Sequence, residues 1–148
     1  MEITPEEVAL EILETVPAVI RVIRAEMRRH RQPGLSVPQF RALAFLRNRP
    51  GASLNSLAEH LGLTPASTSK LVDGLVERGL VGRCESAKDR RKVMLTLNPP
   101  GFSVWEAAFT HTQAAIARRL AGLSETEREN LRSAMKTLRP LFSEEDGV

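Results

Sequence analysis

Apolar residues recur at helical spacing along most of the chain, and the polar breaks between them carry helix-capping residues. The first stripe begins at Val8 and continues at steps of three or four residues, as on one face of a helix. Thr4-Pro5-Glu6-Glu7 precedes it as a capping box, and Pro33-Gly34 closes it. A second capping box, Ser36-Val37-Pro38-Gln39, opens a helix that stops at Arg49-Pro50-Gly51. The pattern therefore predicts two helices before residue 52.

The next two helices lie close together in sequence. Ser53 caps a third helix that ends at Gly62, and Thr64-Pro65 opens a fourth that runs to about Arg78, before Gly79. Their apolar residues are expected to form a shared core: Leu57, Leu61, Leu71 and Leu75. The intervening turn has the length found in a helix-turn-helix, whose second helix projects outward.

Beyond Gly79 the pattern favours strands. Leu80 to Cys84 and Val93 to Leu97 are short and β-suited, and the polar stretch 85–92 joins them as a hairpin. Asn98-Pro99 caps a fifth helix that ends at Gly122, and Ser124-Glu125-Thr126-Glu127 opens a sixth, followed by a frayed tail over 143–148. The predicted fold class is mainly α with a small β-hairpin.

This order of elements, together with local motifs, resembles the MarR family of transcription regulators. The motifs run from Leu57 to Leu63 and from Ser69 to Val81, and the wing carries Asp89-Arg90-Arg91. Eight residues after Asp89, Leu97-Asn98-Pro99-Pro100-Gly101 takes the place of the family's Leu-Thr-x-x-Gly, with Asn in the position of Thr. The resemblance implies one domain over 1–148, a winged helix-turn-helix lobe (36–97), and helices at 1–34 and 99–142 that hold a homodimer.

The charge of the chain is uneven. Its 148 residues carry a net charge of +3, with 42% hydrophobic and 26% charged residues, as in a folded globular domain. Residues 1–20 hold five Glu and no base, whereas residues 21–49 hold eight Arg against Glu26 alone. This asymmetry favours a polyanionic partner, although a first helix whose charges complement its own dipole would explain part of it.

The recognition helix (65–78) and the wing (85–92) supply the candidate contacts to duplex DNA. The candidates share exposure to solvent and the ability to bond a phosphate, a base edge or a methyl group. They are Thr64, Ala66, Ser67, Ser69, Lys70, Lys88, Asp89, Arg90 and Arg91. The resemblance implies that the Asp steers a wing Arg into the minor groove, and we expect Arg91 in this role before Arg90. Capping alone for Thr64, a solvated Lys70 and a solvated charged turn remain the alternatives.

Other classes of function find little support in the sequence. The chain has no Tyr and one Trp, and neither the hairpin nor the recognition helix carries an aromatic platform for RNA. We recognise no catalytic, cofactor-binding or metal-ligating motif, so we expect neither an enzyme nor a metal or cofactor. The single cysteine, Cys84, is interpreted as a small structural residue. The acidic start lacks the basic region of a signal peptide and no apolar run would span a bilayer, which predicts a cytoplasmic protein without a membrane partner.

The resemblance also implies a regulatory ligand, a small aromatic or phenolic anion bound between the dimer helices and the DNA-binding lobe. The candidate lining residues are Arg21, Arg24, Arg28, Phe40, Phe45, Trp105 and Phe109, each of which could instead be a core or surface residue. Dimerisation is expected because the outer helices hold more apolar residues than one small core needs. These residues are Val8, Ile12, Val19, Ile20, Leu120, Leu131, Leu138, Leu141 and Phe142, and packing within one chain is the alternative.

Two functions remain open at the level of sequence. The first is a homodimeric repressor that reads a palindromic DNA operator and is released by a small molecule. The second is a winged-helix adaptor that binds other proteins and has no specific operator. The charged wing beside a small, polar recognition face favours the first.

Overall fold

Six helices and one hairpin make up the structure, a computed structural model that describes residues 1–143. The helices are α1 (Pro5–Arg29), α2 (Val37–Asn48), α3 (Leu54–Leu61), α4 (Pro65–Glu77), α5 (Pro99–Leu120) and α6 (Glu125–Phe142). Strands β1 (Val81–Glu85) and β2 (Val93–Leu97) lie between α4 and α5. The predicted fold class is confirmed. Of the expected frayed tail, residues 144–148 lie outside the described residues, and Ser143 caps the end of α6.

The helix starts follow the predicted capping chemistry. Thr4, Ser36, Ser53, Thr64 and Ser124 each cap a helix through the side-chain oxygen, which accepts a hydrogen bond from a backbone amide three residues later. The three expected capping boxes are all complete, with the reciprocal bond from the backbone amide of the cap to the acidic or amide side chain present. The predicted starts of these five helices are therefore confirmed.

The end of α1, the start of β1 and the end of α5, at Leu120 instead of Gly122, differ from the sequence expectation. Helix α1 stops at Arg29 with His30 as its C-cap, three residues before Pro33, and Pro33 restricts the backbone of Gln32 directly before it. Strand β1 begins at Val81 rather than Leu80, because the Leu80 amide closes the end of α4 by donating to the Leu75 carbonyl. Gly62 and Gly79 do terminate α3 and α4 with positive φ values of 69° and 72°.

The hairpin is an antiparallel pair in which Val81 lies opposite Leu97 and Glu85 lies opposite Val93. A third segment extends it: the Leu95 amide donates to the Ala52 carbonyl at 2.8 Å, and Ser53 bridges to Met94. The wing is thus tied to the chain just before α3.

The core of the lobe lies where α2, α3, α4 and the hairpin meet. Its fully buried side chains include Leu43, Leu46, Leu57, Leu75, Leu95, Val72 and Val81. Leu61 is also buried and Leu71 packs against this cluster half-buried, so the predicted shared core of α3 and α4 is confirmed. A second, smaller cluster joins Phe40, Trp105 and Ala108.

Helices α1 and α6 differ from the helices of the lobe in how far their side chains are buried. The chain divides into two compact units within α5, one ending at Thr112 and one starting at Gln113. In the described chain, neither α1 nor α6 has a buried residue. No helix within residues 1–143 combines the length and the apolar character needed to cross a membrane.

Candidate nucleic-acid interface

Helix α4 divides into a buried face and an exposed face. Thr68, Val72 and Leu75 are fully buried, and the Thr68 hydroxyl donates to the Thr64 carbonyl at 2.9 Å. On the other face, the structure leaves Thr64, Ala66, Ser67 and Lys70 exposed and Ser69 half-buried. The predicted contact residues of α4 therefore lie together on the side of the helix away from the core.

The hydroxyl groups of Thr64 and Ser67, at the start of α4, are hydrogen-bonded to each other. The Thr64 Oγ1 accepts from the Ser67 amide at 3.1 Å and donates to the Ser67 Oγ at 2.9 Å. Thr64 is therefore already engaged in both directions, which favours the capping role for this residue. The Ser67 oxygen accepts from Thr64, so its own proton remains to be donated outward.

The wing is a short polar turn with exposed charges at its tip. Lys88, Asp89, Arg90, Arg91 and Lys92 are all exposed. The Asp89 carboxylate accepts from the Arg91 backbone amide at 3.0 Å, and the Asp89 carbonyl accepts from the Lys92 amide at 3.0 Å. Asp89 thus shapes the turn that carries Arg91 by bonding its backbone, a form of steering that the sequence did not indicate.

One residue outside the predicted set joins the wing to the recognition helix. The Arg83 guanidinium in β1 pairs with Asp73 at 2.7 Å and donates to the Ser69 Oγ at 2.8 Å and to the Ser69 carbonyl at 3.2 Å. Strand alternation was the signal that could have found it. Val81 faces the core, and two residues later Arg83 lies on the same side of the strand.

The residues expected to bind a ligand do not all meet. Arg24, Arg28 and Phe40 line one cavity of about 410 Å³ between α1 and α2. The apolar part of the lining includes Met27 and Ala44, and two arginines that sequence reasoning missed, Arg31 and Arg41, complete the basic part. Arg21 lines a neighbouring hollow of about 470 Å³, together with Arg24 and Arg28.

The remaining aromatic candidates lie elsewhere. Phe45 is buried in the core of the lobe, where its ring stacks on His60 at 4.6 Å. Trp105 is buried beside Phe40, stacks on the half-exposed Phe109 at 4.8 Å, and is covered by the Arg47 guanidinium at 4.0 Å. These three rings therefore have structural partners of their own.

His60 is a titratable residue that lies beside an aromatic ring and near two arginines. Partial burial against the Phe45 ring lowers the pKa of His60 below its ordinary value of 6.5, and the positive charges of Arg41 and Arg49 lower the pKa further. Neutral His60 is thus the form that the folded lobe favours. In the part of the chain that the structure describes, no group of three or more His, Cys, Asp or Glu side chains could hold a metal ion.

Comparison with known protein sequences places this architecture among DNA-binding regulators. Residues 34–92 match the model of the MarR family. Over 127 residues the chain is 31% identical to the uncharacterized HTH-type transcriptional regulator Mb0904 of Mycobacterium bovis, covering 86% of this chain and 89% of that protein. It is also 30% identical to the HTH-type transcriptional repressor Mb2911 of Mycobacterium bovis, covering 79% and 85% of the two chains.

Solved structures agree with the sequence relatives. The structure of RV1404 from Mycobacterium tuberculosis matches the whole of both chains with a TM-score of 0.70 and 25% identity. A point mutant of MepR from S. aureus, solved bound to an oligodeoxyribonucleotide, matches 86% of this chain and 98% of its own with a TM-score of 0.58 and 25% identity. From its family match and its identity to these regulators over most of its length, the chain belongs to the MarR family of helix-turn-helix transcriptional regulators and is not an enzyme.

Proposed function

We propose that this regulator is a homodimeric repressor that reads a palindromic DNA site with α4 and the wing and releases it on binding a small anion. The observation that carries the proposal is the exposed surface of the winged helix-turn-helix lobe. It presents the small, polar face of α4 and a wing tip with four cations, Lys88, Arg90, Arg91 and Lys92. The cytoplasmic location expected from the sequence stays part of the proposal.

The chemistry of the two surfaces suits the two grooves of DNA. Ser67 and Ser69 are short hydroxyl side chains, Ala66 fits a thymine methyl, and Lys70 reaches a guanine edge or a phosphate. The Arg91 guanidinium, on a turn shaped by Asp89, suits a narrow minor groove where the negative potential is deepest. The MepR relative in complex with an oligodeoxyribonucleotide supports this assignment of partner.

The apolar surface of the outer helices supports a homodimer. Seven of the nine apolar residues that we expected at a dimer interface are exposed in the single chain. They are Val8, Val19, Ile20, Leu120, Leu131, Leu141 and Phe142. Exposed apolar patches of this kind usually mark an interface, and two-fold symmetry is the commonest solution for a second copy of the same chain. Two lobes would then read half-sites about 10 base pairs apart.

The cavity between α1 and α2 supports the choice of ligand. Its wall combines four arginines with the apolar side chains of Met27, Phe40 and Ala44. Arg24, Arg28, Arg31 and Arg41 provide the positive charge. A small anion with an aromatic or otherwise apolar body matches both parts of this lining. We therefore propose this cavity as the ligand site, with Phe45, Trp105 and Phe109 acting as packing residues rather than contacts.

Arg91→Ala tests DNA reading most simply. On a labelled duplex recovered by selection from random sequence, we expect fluorescence anisotropy to show binding weakened by about 1 to 3 kcal/mol, with unchanged thermal unfolding. Log affinity of the wild type should fall steeply with log salt, by about 0.9 for each phosphate contact. Arg132→Ala, which removes the same charge from α6, is the matched control and should bind as the wild type does.

Two outcomes would contradict the proposal in different ways. Equal affinity of Arg91→Ala and wild type would remove Arg91 from the DNA contact, leaving Arg90 as the next residue to test. A wild-type protein that prefers no duplex over another would favour the adaptor function instead, because an adaptor has no reason to select a DNA site.

A further inference from the structure

We propose that Arg83 is a positioning residue for the DNA-reading face of α4, which screens the charge of Asp73 and presents the Ser69 hydroxyl as a hydrogen-bond donor. The inference rests on the proposed function, because it concerns how the same recognition surface is prepared for DNA. Arg83 itself lies in β1, outside the helix that it prepares.

The contacts of Arg83 reach two residues one helical turn apart. Its Nη1 lies 2.7 Å from the Asp73 Oδ1, and its Nη2 lies 2.8 Å from the Ser69 Oγ. Ser69 and Asp73 are four positions apart on α4 and therefore share a face of the helix. One guanidinium thus fixes both side chains at once, which its planar fork of donors allows.

Asp73 requires such a partner if α4 approaches DNA. Its side chain is 56% exposed on the outer part of α4, whereas the side chain of Arg83 is 30% exposed. A bare carboxylate at this place would repel the phosphates of a duplex. The ion pair with Arg83 offsets the negative charge of the Asp73 carboxylate and so reduces this repulsion.

The direction of the bond to Ser69 sets what that residue offers to DNA. Arg83 is only a donor, so the Ser69 oxygen must accept from it, and the hydroxyl proton is left for another acceptor. Suitable acceptors are the N7 and O6 of guanine, the N7 of adenine, the O4 of thymine, or a phosphate oxygen. Ser67, whose oxygen accepts from Thr64, is left as a donor in the same way. The exposed surface of α4 therefore offers one hydroxyl donor on each of its two flanks.

A background-dependence experiment separates this role from a direct contact between Arg83 and DNA. Arg83→Met is made in the wild type and in a Ser69→Ala/Asp73→Asn background, and the affinity for the selected duplex is measured by fluorescence anisotropy. Positioning predicts a loss of about ten-fold in the wild type and less than about two-fold in the background, which itself binds more weakly than the wild type because the Ser69 donor is gone. Far-UV circular dichroism and thermal unfolding check that each variant is folded.

Arg83→Lys keeps the proposal testable if Arg83→Met does not fold. The lysine retains the charge beside Asp73 but is a single point donor that cannot also hold Ser69. We expect a loss of about three-fold in the wild type that disappears in the Ser69→Ala/Asp73→Asn background.

Three results would overturn the proposal. An equal loss in both backgrounds would make Arg83 a direct DNA contact. A lowered Tm of both Arg83→Met and the background, in step with the lost affinity, would make the three residues a structural tether between wing and helix. A wild type that selects no duplex would fail the proposed function, and this inference with it, whereas the first two results leave that function intact.

Discussion

Gly101→Ala tests how closely α5 approaches the hairpin. Gly101 is buried in the first turn of α5, and a Cβ built on it would lie 2.6 Å from the Leu97 Cδ1 and would collide with the Leu80 carbonyl oxygen. The Leu97 side chain is able to shift, but the Leu80 carbonyl is held by a 2.9 Å hydrogen bond from the Asn98 amide. The added methyl group therefore has to displace backbone.

The size of the effect follows from three contributions to the free energy of unfolding. Overpacking costs about 1 to 3 kcal/mol, and weakening the Asn98 to Leu80 hydrogen bond costs about 1 kcal/mol more. Alanine offsets about 1 kcal/mol of this, because it is the better helix former. The net destabilisation is about 1 to 3 kcal/mol, or a fall in Tm of about 3 to 9 °C for a chain of this size.

The assay is thermal unfolding by circular dichroism at one fixed protein concentration, since the Tm of the proposed dimer would depend on concentration. Gly122→Ala is the matched control: a Cβ there meets nothing within 4 Å, and its φ is not positive. It should leave Tm unchanged or raise it slightly. If Gly101→Ala were as stable as Gly122→Ala, the close approach would be refuted.

Two further predictions concern His60 and Trp105. Because the folded lobe lowers the pKa of His60, its neutral form contributes stability that is complete above pH 6.5 and is lost as the pH falls below that value. The Tm should therefore drop less between pH 7 and pH 5 in His60→Gln than in the wild type, and an equal drop would contradict this. The Trp105 Nε1 is buried without a hydrogen-bond partner in the described chain, so Trp105→Phe loses no bond. Chemical denaturation should show Trp105→Phe costing much less than the roughly 3 to 5 kcal/mol of Trp105→Ala, and similar costs would point to a bond that the indole makes.

The sequence predicted the helices of the lobe well because their ends are set locally. A cap such as Ser53 bonds an amide three residues away, and Gly62 supplies a positive φ that other residues avoid. Resemblance to the family identified the wing and the motif after it that ends at Gly101, in the first turn of α5. The structure adds the physical reason for that glycine, which is the nearness of the Leu80 carbonyl.

Features that depend on packing between elements could not be predicted in this way. The pairing of Ser53 with Met94 joins segments about 40 residues apart, and the contact of Arg83 with Asp73 joins a strand to a helix. The ligand candidates were chosen by residue type, which does not distinguish a lining arginine such as Arg24 from a packed ring such as Phe45. Only the three-dimensional arrangement separates these cases.

Selection of bound duplexes from a random-sequence pool by the purified protein tests the central claim most directly. A dimer that places two copies of α4 and of the wing on DNA predicts enrichment of one inverted repeat, with half-sites about 10 base pairs apart. Recovery of no preferred sequence, or of a single site without two-fold symmetry, would contradict the account.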